Sequence, residues 1–314
     1  MYINAASHYL PGTFVPNEYY TQLLGLTDDW IFKRSGIRKR TKVQPEENTN
    51  TMSIEAVKSA IGRLPYPLKD IDLVVGATYT PYDTVGTLAH AVQSYFGIGG
   101  ARVVSISSAC SSFLNGIEIV EGYFAANKAR RAVVIASEHN SAYNDDQDEQ
   151  SGHLWGDGAG AVFISKEKIT GDEIEILDVN TTGLGDIGKS LDAVYLRPNE
   201  SGLRMPCGRD IFVYATRYMV SEVERILARN GFSLDDIIHL IPHQANLRII
   251  NHVGATLGLR DEQLIMNIEN TGNTGCASTA IAISQNWERF RSDELIVVTV
   301  FGGGYSSGAM LLKR

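Results

Sequence analysis

The sequence predicts a layered α/β fold built from two similar halves. Apolar strand-like runs alternate with helix-like runs along almost all of the 314 residues. Most of these strands are apolar without alternation, which is typical of strands buried on both faces of a sheet. The chain also repeats itself: "LKDIDLVVGATYTP" from Leu68 resembles "LDDIIHLIPHQAN" from Leu234, about half the chain later. Helix-covered sheets, arranged twice, are therefore expected.

Each predicted element follows from its own pattern of apolar residues. Short apolar runs bounded by glycine, proline or polar residues predict strands. These strands cover residues 71–79, 101–107, 131–137, 160–165, 237–243 and 295–302. Longer runs whose apolar residues recur every three or four positions predict helices. These helices cover residues 51–64, 88–97, 111–128 and 210–231.

A second pair of segments supports an internal duplication. "RRAVVIAS" followed by "GDGAGAVFI" resembles "DELIVVTV" followed by "GGGYSSGAMLL", a strand, a glycine-rich turn and a second strand in each case. The offset that relates Leu68 to Leu234 also relates Cys110 to Cys276. No low-complexity linker divides the chain, and we assign the halves to residues 1–168 and 169–314. Two such halves would pack about a pseudo-twofold axis, with their loops meeting in one cleft.

Composition and charge exclude several classes of protein. The 28 Lys and Arg residues are outnumbered by 36 Asp and Glu residues and form no basic block, so nucleic acid is not an expected partner. The longest apolar runs are too short to span a membrane, and the N-terminus lacks the pattern of a secretory signal. Three cysteines do not make a disulfide framework. A soluble cytoplasmic protein with free thiols is expected.

Cys110 lies in "SISSACSSFLNG", where a predicted strand gives way to a predicted helix. Its small neighbours would let a substrate carbonyl approach, and a helix N-terminus favours the thiolate that a nucleophile needs. Free cysteine is also among the most frequently buried residue types. This segment alone leaves both interpretations open, a nucleophile or a small buried side chain.

Three further segments favour the nucleophile. His243 ends an apolar strand, and open α/β sheets bind ligands at the C-terminal ends of strands. Asn273 lies in the repeat partner of the Cys110 turn, and its amide can hold a thioester oxygen while charge develops there. The glycines of "FGGGYSSG" can bring a backbone N–H against a ligand. The alternatives are a hydrogen-bonded surface histidine and ordinary turns.

Together these motifs resemble the β-ketoacyl-[acyl-carrier-protein] synthase III family, of the thiolase superfamily, from end to end. Six segments occur in the family's order and spacing: "TDDWIFKRSGIRKR", "SSACSSF", "WGDGAGA", "PHQANLRII", "GNTGCAS" and "FGGGYSSG". The resemblance implies a duplicated five-layer αβαβα fold and a homodimer. It also implies thioester substrates on coenzyme A or acyl carrier protein, with no metal ion or organic cofactor.

By resemblance, Cys110 accepts an acyl group from a primer thioester. His243 and Asn273 then stabilise the enolate formed when malonyl-acyl-carrier-protein loses CO₂, and the enolate attacks the acyl-cysteine to give a 3-ketoacyl thioester. The backbone N–H groups of Cys110 and Gly303 match the family's oxyanion hole. A Cys-His-Asn triad accompanies decarboxylative condensation, whereas thiolases use a second catalytic cysteine.

The resemblance also indicates substrate-binding positions. Trp30 matches a tryptophan that stacks on adenine, and Arg34 matches a residue beside the coenzyme A nucleotide. Asn246 and Arg248 lie in the "PHQANLRII" segment. Val85 matches a bulkier aromatic position at the gate of the primer pocket.

Four positions depart from the family where it has cations that help bind coenzyme A or the carrier protein. They are Glu149, Val213, Ala255 and Thr256. Losing such cations should weaken contacts with phosphates and an acidic partner, by on the order of 1 kcal/mol each where exposed. With "ACSSF" in place of the family's "ACAGF", these changes indicate a specialised member with a different primer or carrier.

Three other functions compete with condensation. One is acyl transfer to a non-malonyl acceptor, which the intact Asn273 argues against. Another is a cysteine hydrolase with a Cys-His-Asn triad, which would have to admit water to its acyl-enzyme. The last is a non-catalytic partner subunit, which the retention of Cys110, His243 and Asn273 disfavours.

Overall fold

Thirteen strands and nine α-helices form the protein in a computed structural model that describes residues 1–314. The strands are β1 Tyr2–Tyr9, β2 Thr13–Pro16, β3 Lys39–Lys42, β4 Leu73–Ala77, β5 Arg102–Ile106, β6 Arg131–Glu138, β7 Gly158–Ser165, β8 Ile174–Gly183, β9 Tyr195–Arg197, β10 Gly202–Arg204, β11 Ile237–Pro242, β12 Leu295–Gly302 and β13 Ser306–Lys313. The helices are α1 Asn17–Leu24, α2 Asp28–Ser35, α3 Thr49–Lys58, α4 Leu88–Phe96, α5 Ser112–Ala125, α6 Gly208–Arg229, α7 Leu247–Thr256, α8 Ile268–Thr271 and α9 Ala277–Gln285.

Nine of the strands pair into one continuous sheet with the order β11-β12-β13-β8-β1-β7-β6-β4-β5. Its two halves meet where β1 pairs with β8, and the same topology runs outward on either side. β7 and β13 are antiparallel to these central strands, and β6 and β12 follow antiparallel. β4 comes next, parallel to β6, and β11 comes next on the other side, parallel to β12. The assigned boundary at residue 168 falls between β7 and β8 and stays a prediction.

The two halves of the sheet form two layers, and helices form three more: one between the halves and one on the outer face of each. α9 packs on β1 and β7, while α5 contacts β4 and β6 of the first half and β8 and β13 of the second. These two helices form the central layer. α3 and α4 cover the outer face of the first half, and α6 and α7 cover that of the second. The structure therefore has the predicted αβαβα fold class, with hydrophobic cores between its layers.

The burial of the strands confirms most of the sequence pattern and corrects one strand. Every residue of β4 and β12 is buried, as continuous apolar runs predict. β5 is apolar too, but Arg102 and Ser105 on it are exposed. β5 is a terminal strand of the sheet, as is β11 at the other end, but β11 is almost entirely buried and β5 is not.

The carboxyl ends of several strands carry the segments singled out in the sequence. β5 leads into the Cys110 turn, β11 into His243, and β12 into the glycines that begin at Gly302. Ligands of α/β sheets gather at such strand ends. Measured by length and apolar character, none of the helices could cross a membrane.

Candidate active site

Cys110 projects from a tight turn between β5 and α5. It precedes Ser111, the N-cap of α5, and follows Ala109, whose φ of 49° lies in the left-handed region. The Ser112 hydroxyl holds this turn, because it accepts from the Ser108 N–H at 2.7 Å and donates to the Ala109 carbonyl at 2.6 Å. Both serines of "ACSSF" are fully buried. They shape the nucleophile's turn and do not line a substrate cavity.

The end of β12 lies directly against the Cys110 turn. A Cβ added at Gly302 would lie 2.8 Å from the Cys110 nitrogen and 3.1 Å from the Ser111 nitrogen, so only glycine permits this approach. The backbone N–H groups of Gly303 and Cys110 each favour the charged form of the Cys110 thiol. Two donors from different halves of the chain therefore act beside the thiol, and their role as an oxyanion hole stays a prediction.

The resting thiol does not have the lowered pKa that a helix N-terminus led us to expect. Desolvation by burial, and after it the negative charge of Glu138, raise the pKa of Cys110 to about 12. Hydrogen bonds from the two N–H groups oppose these effects but are outweighed. The thiol is therefore protonated at neutral pH, and a role as nucleophile would require it to lose that proton.

His243 follows β11 and is almost fully buried. Its Nδ1 lies 2.8 Å from the Ser278 hydroxyl, which accepts from the Gln244 N–H at 3.4 Å. When that hydroxyl donates its proton to Nδ1, the ring hydrogen of the neutral imidazole resides on Nε2. Desolvation by burial lowers the pKa of His243 to about 4, so the imidazole is neutral at physiological pH. A neutral ring with Nε2–H is a hydrogen-bond donor.

Asn273 lies in the turn between α8 and α9, and its main chain is anchored to the first half. Its N–H donates to the Leu154 carbonyl at 2.9 Å, and its carbonyl accepts from the Gly156 N–H at 3.0 Å. Its side-chain Oδ1 accepts from the Gly275 N–H at 3.0 Å. This bond orients the amide, and Nδ2 has no protein partner and remains accessible from the cavity beside it.

Three cavities connect the protein surface with Cys110. The catalytic cavity, about 40 Å³, is lined by Cys110, His243, Asn273 and Gly303 among apolar side chains. The entrance cavity, about 410 Å³, joins it through Met205, Ile211, Ala245 and Ile249. The side cavity, about 290 Å³, joins it at Cys110, Trp155, Val194 and Gly303. The three predicted catalytic side chains thus face one narrow space at the meeting point of two larger ones.

Four of the five predicted substrate-binding residues line the entrance cavity. These are Trp30, Arg34, Asn246 and Arg248. The Arg34 guanidinium lies over the Trp30 ring at 4.2 Å from its centroid. Asn246 caps α7 by accepting from the Arg248 N–H at 2.9 Å. The fifth residue, Val85, is 87% exposed and lines none of these cavities, so its role at the primer gate stays a prediction.

The entrance also holds a cation that the sequence analysis missed. Arg209, the second residue of α6, lines the cavity with Arg34 and Arg248, and no carboxylate lines it. Arg209 precedes Val213 by one helical turn, a spacing that could have revealed it. The four departing positions, Glu149, Val213, Ala255 and Thr256, are exposed and lie outside the cavity lining. Ser278, the partner of His243, had no recognisable pattern in the sequence.

Comparison with known proteins matches this arrangement. The profile of the C-terminal part of 3-oxoacyl-[acyl-carrier-protein] synthase III matches residues 227–314, and a second profile of the same synthase matches residues 104–183. A β-ketoacyl-[acyl-carrier-protein] synthase III of Nitratidesulfovibrio vulgaris is 34% identical over 97% of this chain and 96% of its own length.

Solved structures agree with the sequence relatives. The 3-oxoacyl-[acyl-carrier-protein] synthase III of Aquifex aeolicus superimposes with a TM-score of 0.93 at 30% identity, covering 100% of this chain and 99% of its own. A priming β-ketosynthase of a polyketide biosynthetic pathway superimposes with a TM-score of 0.90 at 26% identity, covering 99% and 96%. With full-length identity above 30% and the same fold from end to end, this chain belongs to the β-ketoacyl-[acyl-carrier-protein] synthase III family of condensing enzymes.

Proposed function

We propose that this protein condenses an acyl thioester primer with malonyl-acyl-carrier-protein, releasing CO₂ and forming a 3-ketoacyl thioester through an acyl-Cys110 intermediate. The observation that carries the proposal is the convergence of Cys110, His243 and Asn273 on one cavity between a cationic entrance and an apolar side cavity. A thiol nucleophile and two neutral hydrogen-bond donors are the groups this reaction needs.

In the first step, the Cys110 sulfur attacks the primer's thioester carbonyl. The tetrahedral oxyanion accepts hydrogen bonds from the N–H groups of Cys110 and Gly303, and the carbon–sulfur bond to the carrier breaks. The proton lost by Cys110 leaves with the carrier thiol. Because the resting pKa of Cys110 is raised to about 12, deprotonation forms part of the barrier, and the N–H groups beside the sulfur favour the charged state.

In the second step, the malonyl thioester oxygen accepts hydrogen bonds from His243 Nε2–H and Asn273 Nδ2–H. The bond to the carboxylate breaks, CO₂ leaves, and the electron pair forms an enolate that these donors stabilise. The enolate carbon then attacks the acyl-cysteine carbonyl and expels the Cys110 thiolate, which takes up one proton. The thioester substrates supply all the chemistry, so no metal ion or organic cofactor takes part.

The entrance cavity fits an anionic carrier. Its three arginines, Arg34, Arg209 and Arg248, form no ion pair with a carboxylate, in contrast to Arg38, Arg130, Arg197 and Arg229 elsewhere on the surface. Free guanidinium groups at a cavity mouth favour phosphate and acidic partners. The three arginines therefore support coenzyme A, or the phosphopantetheine of an acyl carrier protein, as the group that enters this cavity and extends toward Cys110.

The side cavity fits the acyl chain of the primer. It is lined mainly by apolar and aromatic side chains, including Leu191, Val194, Leu196 and Leu203, and by no Asp, Glu, Lys or Arg. Its volume of about 290 Å³ exceeds what an acetyl group fills. We therefore expect an uncharged primer longer than acetyl, as a specialised condensing enzyme would use.

Intact-mass analysis tests the proposal. The protein is incubated with acyl-CoA and acyl-carrier-protein thioesters of increasing chain length, and then with malonyl-acyl-carrier-protein. We expect an acyl adduct that is absent from Cys110→Ala, followed by a 3-ketoacyl product. Absence of any adduct, or the same adduct in Cys110→Ala, would refute the proposal. Loading followed by release of free acid would identify a hydrolase.

We further propose that the protein acts as a cytoplasmic homodimer. β5 offers an unpaired sheet edge, and exposed apolar side chains lie at Tyr82, Val85, Tyr95 and Leu191. Three free cysteines suit a reducing compartment. Sedimentation velocity is expected to give twice the monomer mass, and a monomer at micromolar concentration would overturn the assembly.

A further inference from the structure

Glu138, at the end of β6, is a buried carboxyl group to which the reaction assigns no role. Its side chain is fully buried and forms no ion pair with a cation. Burying a carboxylate is costly unless hydrogen bonds replace its hydration. The Glu138 oxygens accept from the hydroxyl groups of Thr78 and Thr80 and from the backbone N–H groups of Tyr79 and Thr80. The carboxyl thus holds the segment that follows β4.

A fifth donor comes from the turn that carries Asn273. The Cys276 sulfur lies 2.8 Å from Glu138 Oε1, and Cys276 is both fully buried and the N-cap of α9. Gly275 packs directly on the same carboxyl, since a Cβ there would lie 2.9 Å from Glu138 Cγ. The Gly275 N–H in turn donates to Asn273 Oδ1 at 3.0 Å. One chain of contacts therefore runs from Glu138 to the Asn273 amide.

A second route reaches Asn273 through Tyr79. Its backbone N–H donates to Glu138, and its hydroxyl donates to Asn140 Oδ1 at 2.8 Å. Asn140 Nδ2 donates to the Asn273 carbonyl at 3.3 Å. The Tyr79 ring also lines the side cavity beside Cys110. The two routes meet at the Glu138 carboxyl. Contacts therefore link this carboxyl both to Asn273 and to Tyr79, which lines the side cavity.

We propose that Glu138 is a positioning residue that, through the thiol of Cys276, clamps the Asn273 turn to the end of β4 and so sets the orientation of the Asn273 amide. The inference rests on the proposed role of Asn273 in condensation. It predicts that the clamp matters for the step Asn273 serves and little for the acylation of Cys110. The titratable groups around the carboxyl are Cys276, Tyr79 and Cys110, and none of them is a cation.

Substitutions at Cys276 test the clamp, because serine keeps a donor there and alanine removes it. In Cys276→Ala, we expect single-turnover condensation of pre-acylated enzyme to fall by about 10- to 100-fold, since misplacing a catalytic group by 1 Å costs about that much. Acyl loading of Cys110 should stay within about threefold of wild type. Cys276→Ser is expected to retain most of the condensation rate. Equal losses in both steps, or no loss in a folded Cys276→Ala, would overturn the proposal.

A double-mutant cycle separates positioning from general packing. If Cys276 acts through the Asn273 amide, Cys276→Ala should not lower the condensation rate any further when Asn273→Ala is already present. A loss that is as large in that background as in wild type would show that the residue acts by another path. Glu138→Gln places an NH₂ group among donors, so it should lose at least as much condensation as Cys276→Ala, while removal of the Glu138 charge also lowers the pKa of Cys110 and changes its loading. Wild-type enzyme that neither loads nor condenses would refute the proposed function. Wild-type enzyme that condenses, together with a folded Cys276→Ala that condenses equally well, would refute only the clamp.

Discussion

Alanine at Gly302 would place a methyl group 2.8 Å from the Cys110 nitrogen and 3.1 Å from the Ser111 nitrogen. Non-bonded atoms of this size are in optimal contact at about 3.5–4.0 Å, so β12 and the Cys110 turn must separate by roughly 0.5–1 Å. The atoms in the way belong to backbone, and no side-chain rotation can relieve the contact. The separation moves the Gly303 N–H away from the oxyanion.

Losing one oxyanion donor costs about 100- to 1000-fold in rate, or roughly 2.7–4 kcal/mol of transition-state stabilisation. We therefore expect Gly302→Ala to slow acyl loading of Cys110 by about that factor. The assay is rapid quench of enzyme and primer thioester, with acyl-enzyme quantified by intact mass. The thermal midpoint of unfolding, measured alongside, identifies any variant that fails to fold.

Gly183→Ala is the matched control, because Gly183 also lies at a strand end and pairs with Ser306, yet a Cβ there meets nothing within 4 Å. It should load at the wild-type rate. If folded Gly302→Ala loads within about threefold of wild type, the close approach of β12 does not maintain the oxyanion hole. The assignment of Gly303 as an oxyanion donor would then be wrong.

Three further outcomes follow from the charges at the site. Since the pKa of His243 is lowered to about 4, its neutral form persists above that pH, and protonation of His243 should reduce single-turnover condensation as pH falls through about 4; a midpoint near 6.5 that persists in Glu138→Gln, where the buried carboxyl can no longer titrate, would contradict this. Because the pKa of Cys110 is raised to about 12, its alkylation by iodoacetamide should accelerate from pH 7 to 10 without a plateau, whereas a plateau below pH 9 would show an activated thiolate. Arg209→Ala should raise the KM for malonyl-acyl-carrier-protein about two- to fivefold, the effect of one exposed ion pair, while Arg63→Ala on a distant surface leaves it unchanged.

The sequence predicted the layers because they depend on local patterns, and Cys110, His243 and Asn273 line one cavity as their predicted catalytic roles require, although those roles stay predictions. Apolar runs such as β12 are buried wherever the chain places them, and a histidine at a strand end keeps that position in any α/β sheet. The position of β5 at the sheet edge could not be predicted, since its residues resemble those of central strands. Whether a strand lies at the edge or in the centre of the sheet depends on which strands pair with it, and this pairing is a property of the whole fold.

The electrostatics of the site were predicted less well than its residues. The position of Cys110 before a helix indicates a stabilised thiolate, but desolvation and the Glu138 charge come from segments remote in sequence and outweigh the helix. Arg209 was missed for a related reason. The sequence shows Val213 where the family resemblance implies a cation, whereas Arg209, one helical turn earlier, lines the entrance cavity and gives it a positive charge.

The two halves also explain how one fold came to use matching turns differently. Cys110 and Cys276 occupy corresponding turns, each at the start of a central helix, yet Cys110 precedes the N-cap and Cys276 is the N-cap. Cys110 lines the catalytic cavity, whereas Cys276 is buried against Glu138. Corresponding helix starts can thus expose a thiol to a cavity or bury it against a neighbouring side chain. The two halves supply one of each, and Asn273, from the turn that carries Cys276, lines the same narrow cavity as Cys110.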